Sequence, residues 1–302
     1  MSSAESFTRL NPAQREAATH GEPVAGGGVR AAPLLVIAGA GTGKTSTLAH
    51  RVAHLLLGGV APERLLLLTF SRRAALEMTR RAQRVVADAM AAARPGAGAS
   101  TSLRLPWSGT FHATGNRLVR QYALRLGLDP TFSVLDRADA ADLMDVVRHR
   151  LGLSKTERRF PRKDTCLGIY SHRVNTQQPL RHTLETAYPW CLQWEDELTA
   201  LCRAYVEEKL SQQSLDYDDL LLYWQVMMRD PSLAGEIGGR FDHVLVDEYQ
   251  DTNALQSEIL LRLKPDGAGV TVVGDDAQAI YSFRGATIDN ILEFPERFSP
   301  PA

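Results

Sequence analysis

The run Pro33-Leu34-Leu35-Val36-Ile37-Ala38-Gly39-Ala40-Gly41-Thr42-Gly43-Lys44-Thr45 narrows the possible folds more than any other stretch. Leu34 to Ala38 is apolar without interruption, as expected of a parallel strand covered on both faces. The residues after it give up side-chain bulk, which lets successive backbone N–H groups converge on an anion. A helix is expected from about Lys44, and the free N–H groups and positive dipole end at its N-terminus complete a phosphate cradle. Lys44 has the reach for the outer phosphates, and the Thr45 hydroxyl suits a Mg²⁺ ligand. Ala38 stands where the loop pattern has its first glycine, a small change unless the backbone there needs a positive φ.

With 302 residues the chain has room for about two domains. Its 44% apolar and 23% charged residues are those of an ordinary soluble globular protein. A net charge of −1 means that a nucleic-acid partner would be held by local basic patches, not by a global cationic field. Cys166, Cys191 and Cys202 are odd in number and form no C-x-x-C pair. That argues against a disulfide framework or a cysteine zinc site and fits packing residues in a reducing cytosol. No apolar run reaches the length of a membrane span, and Met1 to Thr8 lacks the basic and apolar regions of an export signal. A cytoplasmic protein without a membrane partner is expected.

Along the chain, Asn11 followed by Pro12 marks a helix start, and Gly26-Gly27-Gly28 a flexible connection into the first strand. The helix after Lys44 places Leu48, Val52, Leu55 and Leu56 on one face and stops at Gly58-Gly59. A second buried strand spans Leu65 to Phe70. The helix after it has Ala75, Met78, Ala82, Val85 and Val86 at helical spacing, with Arg72, Arg73, Arg80, Arg81 and Arg84 polar. Residues 89–101, rich in Ala, Gly and Ser, read as a loop. Ser108-Gly109-Thr110-Phe111-His112 ends a third strand and enters a helix. Such alternation implies an α/β fold with a parallel sheet and helices on both faces.

From about residue 126 to 210 strand signals fade and a mostly helical inserted domain is expected. Residues 1–125 and 211–302 form the two parts of the sheet domain, because strands resume at His243–Asp247 and Val270–Gly274. The insertion holds a basic stretch, Arg148, Arg150, Lys155, Arg158, Arg159, Arg162 and Lys163, opposed in that interval only by Glu157. It reads as either a solvated helical face or a DNA contact.

The late strands carry the remaining chemistry. A buried strand running into Asp247-Glu248 sets two carboxylates at its C-terminal edge, where ligands of open parallel sheets bind. Asp247 would hold Mg²⁺ together with Thr45, and Glu248 would orient and deprotonate an attacking water. Gln278, in Gly274-Asp275-Asp276-Ala277-Gln278, is neutral and polar, suited to sensing a γ-phosphate. Tyr281, Phe283 and Arg284 follow it. Phe70 and His112 end two other strands, so several strand ends offer rings to a common edge, and exposed rings stack on bases at about 1–3 kcal/mol each. Core packing of these aromatics is the alternative.

Together, Gln14 in Leu10-Asn11-Pro12-Ala13-Gln14, the loop Ala38 to Thr45, Thr69 to Met78, Thr110-Phe111-His112, Asp216-Tyr217-Asp218-Asp219-Leu220, Asp247-Glu248-Tyr249-Gln250-Asp251 and Gly274 to Ala286 resemble, in order, the motifs of the UvrD/PcrA/Rep superfamily-one DNA helicases. The resemblance implies a RecA-like domain 1A interrupted by a helical domain 1B. It also implies ATP with Mg²⁺ as cofactors. Nucleotide would be bound by Gln14, which reads adenine, and by Ala38, Gly39, Ala40, Gly41, Thr42, Gly43, Lys44 and Thr45. Lys44, Glu248 and Gln278 would serve catalysis, with Gln250 and Gln278 coupling nucleotide state to the strand. Phe70, His112, Tyr281 and Phe283 would line a single-stranded DNA path, with Arg284 supporting either the phosphate or the DNA. Phe283 stands where the family more often has tryptophan. Asp216 as a plain helix cap explains the Asp216–Asp219 stretch equally well.

The expected partners are single-stranded DNA and duplex junctions, and the expected activity is 3′-to-5′ translocation. The resemblance further implies a second RecA-like domain with arginines that reach the γ-phosphate, absent from these 302 residues. Arginine fingers are worth about 10³–10⁵ in rate. The chain alone is therefore expected to bind nucleotide and hydrolyse it poorly. A stand-alone nucleotide-dependent DNA-binding or regulatory module is the alternative, and a different phosphate-loop enzyme such as a kinase a third.

Overall fold

The computed structural model of the chain describes residues 7–93, 104–154, 159–275, 289–298 and 302. Its centre is a five-stranded, wholly parallel sheet of β3 (Leu34–Ile37), β9 (Val270–Gly274), β8 (His243–Val246), β4 (Leu65–Thr69) and β5 (Ser108–Thr110), in that spatial order. Because every strand runs the same way, the C-terminal ends of all five open on one edge. The phosphate loop, Asp275, Asp247, Phe70 and Phe111 each follow one of these ends.

Alternation along the strands divides the core. Leu65 and Leu67 join Leu245 and Val273 on the face covered by α2 (Lys44–Leu57) and α3 (Arg72–Ala93). Leu66 and Leu68 join Val244, Val246, Val270 and Val272 on the other face, under α4 (Phe111–Tyr122), α9 (Tyr217–Arg229) and α11 (Ala254–Leu263). Two-sided cover is what the apolar runs of β4, β8 and β9 predict. β3 differs from that expectation. It is an edge strand bonded only to β9, its residues are half-buried and Ile37 is exposed, because no strand covers its outer side among the described residues. The expected loop at 89–101 begins later than expected. α3 continues through Ala93, since alanine is the best helix former, and residues 94–101 lie outside the described ones.

The rest frames this sheet. α1 (Pro12–Thr19) packs on α2, and β1 (Glu22–Pro23) pairs antiparallel with β2 (Val29–Arg30) before β3. After α4 the chain passes through β6 (Ser133–Val134) into α5 (Arg137–Arg150), α6 (Lys163–Thr176), α7 (Leu180–Ala187) and α8 (Glu195–Ser211). It returns through β7 (Ser214–Leu215), which pairs parallel with β6 and closes the neck of the insertion. α10 (Pro231–Gly238) leads to β8, and α12 (Asp289–Glu293) lies near the end. One continuous apolar cluster runs from the sheet face into α5, α6, α7 and α8, so these helices are packed onto the sheet and not tethered by linkers. Cys166, Cys191 and Cys202 are free thiols inside it, and burial pushes the Cys166 and Cys202 thiols up to about 12 and about 11, which leaves them unreactive. No described helix is long and apolar enough to cross a membrane.

Candidate functional site

β3 delivers the chain to the loop. The Ala38 N–H still donates to the Gly274 carbonyl at 3.0 Å, as a strand residue would. Its φ is not positive, so alanine is compatible with the position. Positive φ values fall instead on Gly41, at 76°, and on Gly43, at 91°, which caps α2. A Cβ on Gly43 would stand 2.9 Å from Gln14 Nε2. Gln14 is the loop's brace: its Nε2 donates to the Thr42 carbonyl at 2.7 Å, while its Oε1 accepts from the Asn11 N–H at 2.9 Å. The same amide thus completes the capping box of α1 and holds the loop. Within the loop, Thr42 Oγ1 donates to the Gly39 carbonyl at 2.7 Å.

Beside the loop lies an open cleft of about 330 Å³, lined by residues between Ala40 and Ser46 together with Arg81 and Glu248. Lys44 is 9% exposed. Its Nζ donates to Asp275 Oδ2 at 2.9 Å and lies 3.9 Å from Glu248 Oε2. Gln250 ties the carboxylates together: its Nε2 donates to Glu248 Oε2 at 2.7 Å and its Oε1 accepts from the Asp275 N–H at 2.9 Å. Glu248 adopts a left-handed backbone, φ 51° and ψ 49°, which is strained for a residue with a Cβ and is concentrated at functional sites.

Asp247 is 5% exposed, and its Oδ1 has no hydrogen-bond partner. Burial, with the neighbouring Glu248 charge, pushes its carboxyl up to about 6. An orphaned buried carboxylate oxygen beside a phosphate loop fits a Mg²⁺ ligand. Among the described residues no three His, Cys, Asp or Glu side chains are grouped to hold a metal ion. Mg²⁺ characteristically takes one or two protein oxygens and completes its shell with phosphates and water, so the donor set present, Asp247 and Thr45, suits it.

On the same sheet edge, Phe70 is 51% exposed. His112, in the first turn of α4, meets the Tyr217 ring edge-on with centroids 5.7 Å apart, and Tyr217 is itself 43% exposed. Gln278, Tyr281, Phe283 and Arg284 lie outside the described residues. In the basic stretch, Arg148 pairs with Asp145, Arg150 with Glu208 and Lys163 with Asp142, so much of its charge is locally balanced. Arg159 and Arg162 are exposed, and Lys155 and Arg158 lie outside the described residues.

Two contributors carried no assigned role in the sequence reading, and one was underrated. Asp275 was visible only as part of a strand-end Gly-Asp-Asp run, though its place after a buried strand parallels that of Asp247. Arg81 reads as one of five polar arginines on α3, and only the packing of α3 against α2 brings it to the cleft. Tyr217 is the first residue of α9 after the Asp216 cap, a position whose sequence signal is the cap and not the ring.

A family model described as the UvrD/REP helicase N-terminal domain matches residues 10–299. The chain is 35% identical over 300 residues to "ATP-dependent DNA helicase UvrD1" of Mycobacterium tuberculosis (strain ATCC 25618 / H37Rv), covering 94% of this chain and 35% of that protein. It is 34% identical over 268 residues to "ATP-dependent DNA helicase PcrA" of Leuconostoc citreum, covering 88% and 33%. Against the PcrA of Bacillus subtilis (strain 168) it is 32% identical over 291 residues, covering 96% and 36%. The chain spans about a third of the length of these relatives. Because the family match takes in the phosphate loop, the Asp247-Glu248 strand end and the inserted helices between them, the chain belongs to the UvrD/REP helicase N-terminal domain family, and its sheet is of the RecA-like type.

Proposed function

We propose that the chain is the ATP- and single-stranded-DNA-binding half of an ATP-dependent DNA helicase, translocating 3′ to 5′ in concert with a second RecA-like domain. The observation that carries this reading is the meeting of Lys44, Asp275 and Glu248 beside a glycine-rich loop, with an unpaired Asp247 oxygen next to them. In it, residues 1–125 and 211–302 form domain 1A and residues 126–210 domain 1B.

The residues divide the work. The backbone of Gly39 to Gly43 and the N-terminus of α2 receive the phosphates. Lys44 exchanges Asp275 for the β- and γ-phosphate oxygens. Thr45 and Asp247 hold Mg²⁺, which when bound supplies charge neutralisation at those oxygens. Glu248, held by Gln250, orients water in line with the γ-phosphate and accepts its proton. Gln14 releases Thr42 to read the adenine edge, and Gln278 senses the γ-phosphate. Phe70, His112 and Tyr217, with Tyr281, Phe283 and Arg284, line the strand path. Arg159 and Arg162 contact duplex flanking a junction.

Arginines from a second domain would add about 10³–10⁵ in rate, so residues 1–302 alone bind Mg²⁺-nucleotide and turn it over slowly. The test is nucleotide binding, oligo-dT binding and ATP turnover on this chain beside Glu248→Gln. Wild type is expected to bind both ligands, and the variant to keep nucleotide affinity while its residual turnover vanishes. Absence of nucleotide binding overturns the reading. Robust DNA-stimulated turnover by the monomer overturns the proposed slowness of the isolated half.

A further inference from the structure

Tyr217 and Asp218 are consecutive, yet their side chains contact different parts of the molecule. Tyr217 meets His112 on the sheet edge. Asp218 Oδ1 accepts from Asn175 Nδ2, on α6 of the insertion, at 2.7 Å. Asn175 Nδ2 also donates to the Ser171 carbonyl at 2.8 Å, and Asn175 Oδ1 accepts from Asn253 Nδ2 at 2.7 Å. Asn253 caps α11, its Oδ1 accepting from the Gln256 N–H at 2.9 Å, and it closes the loop that begins at Asp247-Glu248. One side-chain amide of the insertion thus joins the first turn of α9 to the end of the catalytic loop.

The α9 end of this connection is stiff. Lys209 Nζ lies 2.7 Å from Asp216 Oδ2 and 2.6 Å from Asp219 Oδ2, with all three side chains at most 8% exposed. The Tyr205 hydroxyl donates to Asp216 Oδ2 at 2.8 Å, and Asp216 and Asp219 form a capping box. A buried network satisfied in this way holds its geometry. A displacement of the first turn of α9 would therefore carry Tyr217 and Asp218 together.

We propose that Asn175 is a positioning residue that couples occupancy of the DNA-facing edge to the catalytic loop; the proposal rests on the function read above. Asparagine suits the place because it donates to one partner and accepts from the other. Leucine breaks both bonds, and aspartate would set a second carboxylate against Asp218.

The test measures linkage without turnover. Affinity for fluorescent Mg²⁺-ADP is determined on the 302-residue chain with and without saturating oligo-dT. Wild type is expected to show a change of about fivefold or more, in the range usual for coupled sites. Asn175→Leu is expected to keep each separate affinity within about twofold while the coupling ratio falls below about twofold. Asp218→Asn, which retains the acceptor, keeps the wild-type ratio, and Asp218→Leu loses it. A purely structural role would lower stability in the leucine variants and leave the ratio alone. An unchanged ratio in Asn175→Leu and Asp218→Leu overturns the proposal, as does a wild type that binds both ligands independently. A wild type that binds neither ligand overturns the functional reading itself, a result the direct titrations separate from the other two.

Discussion

The Lys44 ammonium lies 2.9 Å from Asp275 Oδ2, and the two side chains are 8% and 1% exposed. β9 lies next to β3, so the residue after one strand meets the first helical residue after the other. The cation that would grip a phosphate is thus already paired, and an incoming anion must compete with Asp275. Removing Asp275 leaves the Lys44 ammonium to the more distant Glu248 carboxylate, 3.9 Å away, and breaking a buried pair costs about 3–5 kcal/mol where burial is complete. Asp275→Asn is therefore expected to lower the melting temperature of the ligand-free chain and to enlarge the increase produced by Mg²⁺-ADP. Equal melting shifts with and without nucleotide would mean that the pair does not oppose binding.

Lys44→Ala is expected to reduce nucleotide affinity more than tenfold, about 1.4 kcal/mol or more. It also takes the Lys44 ammonium away from buried Asp275, so stability in urea should fall by up to about 3–5 kcal/mol while the fold persists. Isothermal titration and urea unfolding of the same variant read the two effects. Undiminished nucleotide affinity would remove Lys44 from the phosphate site.

His243 offers a pH test remote from the cleft. Its Nε2–H donates to the Val29 carbonyl at 2.8 Å, and its Nδ1 is buried without a partner. Burial first, then the Arg51 charge, lowers it from 6.5 to about 4, against opposing effects of the Val29 bond and Asp242. Between those values the unfolded chain takes up a proton that the folded chain refuses, so stability is present above about pH 6.5 and is lost as pH falls toward 4. The full effect is about 3 kcal/mol. His243→Gln should flatten the difference between urea unfolding at pH 7 and at pH 4.5. Parallel pH dependence in the two proteins would contradict the assignment.

What could be read before folding was local. Apolar runs ending in glycine or acid marked the strand ends, and Asn11 with Pro12 marked a helix start, which the structure closes as a capping box through Gln14. What could not be read depends on strand order. Lys44 and Asp275 are 231 residues apart, and no periodicity pairs them. β3 looked two-sided because a buried central strand and a half-covered edge strand share one apolar pattern. The charges that balance the basic stretch, Asp142, Asp145 and Glu208, lie outside residues 148–163 in the sequence. The ring of Phe70 could equally have been core, and only its exposure, shared by Tyr217, separates the alternatives.

That exposure gives the most direct test of the proposed DNA path along this edge. A base stacked on an aromatic side chain is worth about 1–3 kcal/mol, so Phe70→Ala and Tyr217→Ala should each weaken oligo-dT binding by about 5-fold to 150-fold. Neither ring is needed to fill the core, and melting temperatures should change little. The two positions differ in their coupling to His112. Tyr217 touches the His112 ring, so the combined Tyr217→Ala/His112→Ala loss should fall short of the sum of the single losses. No ring contact joins Phe70 to either residue, and its loss should add to theirs. Fluorescence anisotropy of a labelled oligonucleotide across the single and double variants measures all of these. If Tyr217→Ala leaves affinity unchanged, the ring serves only to pack His112, and the DNA path does not run over the start of α9.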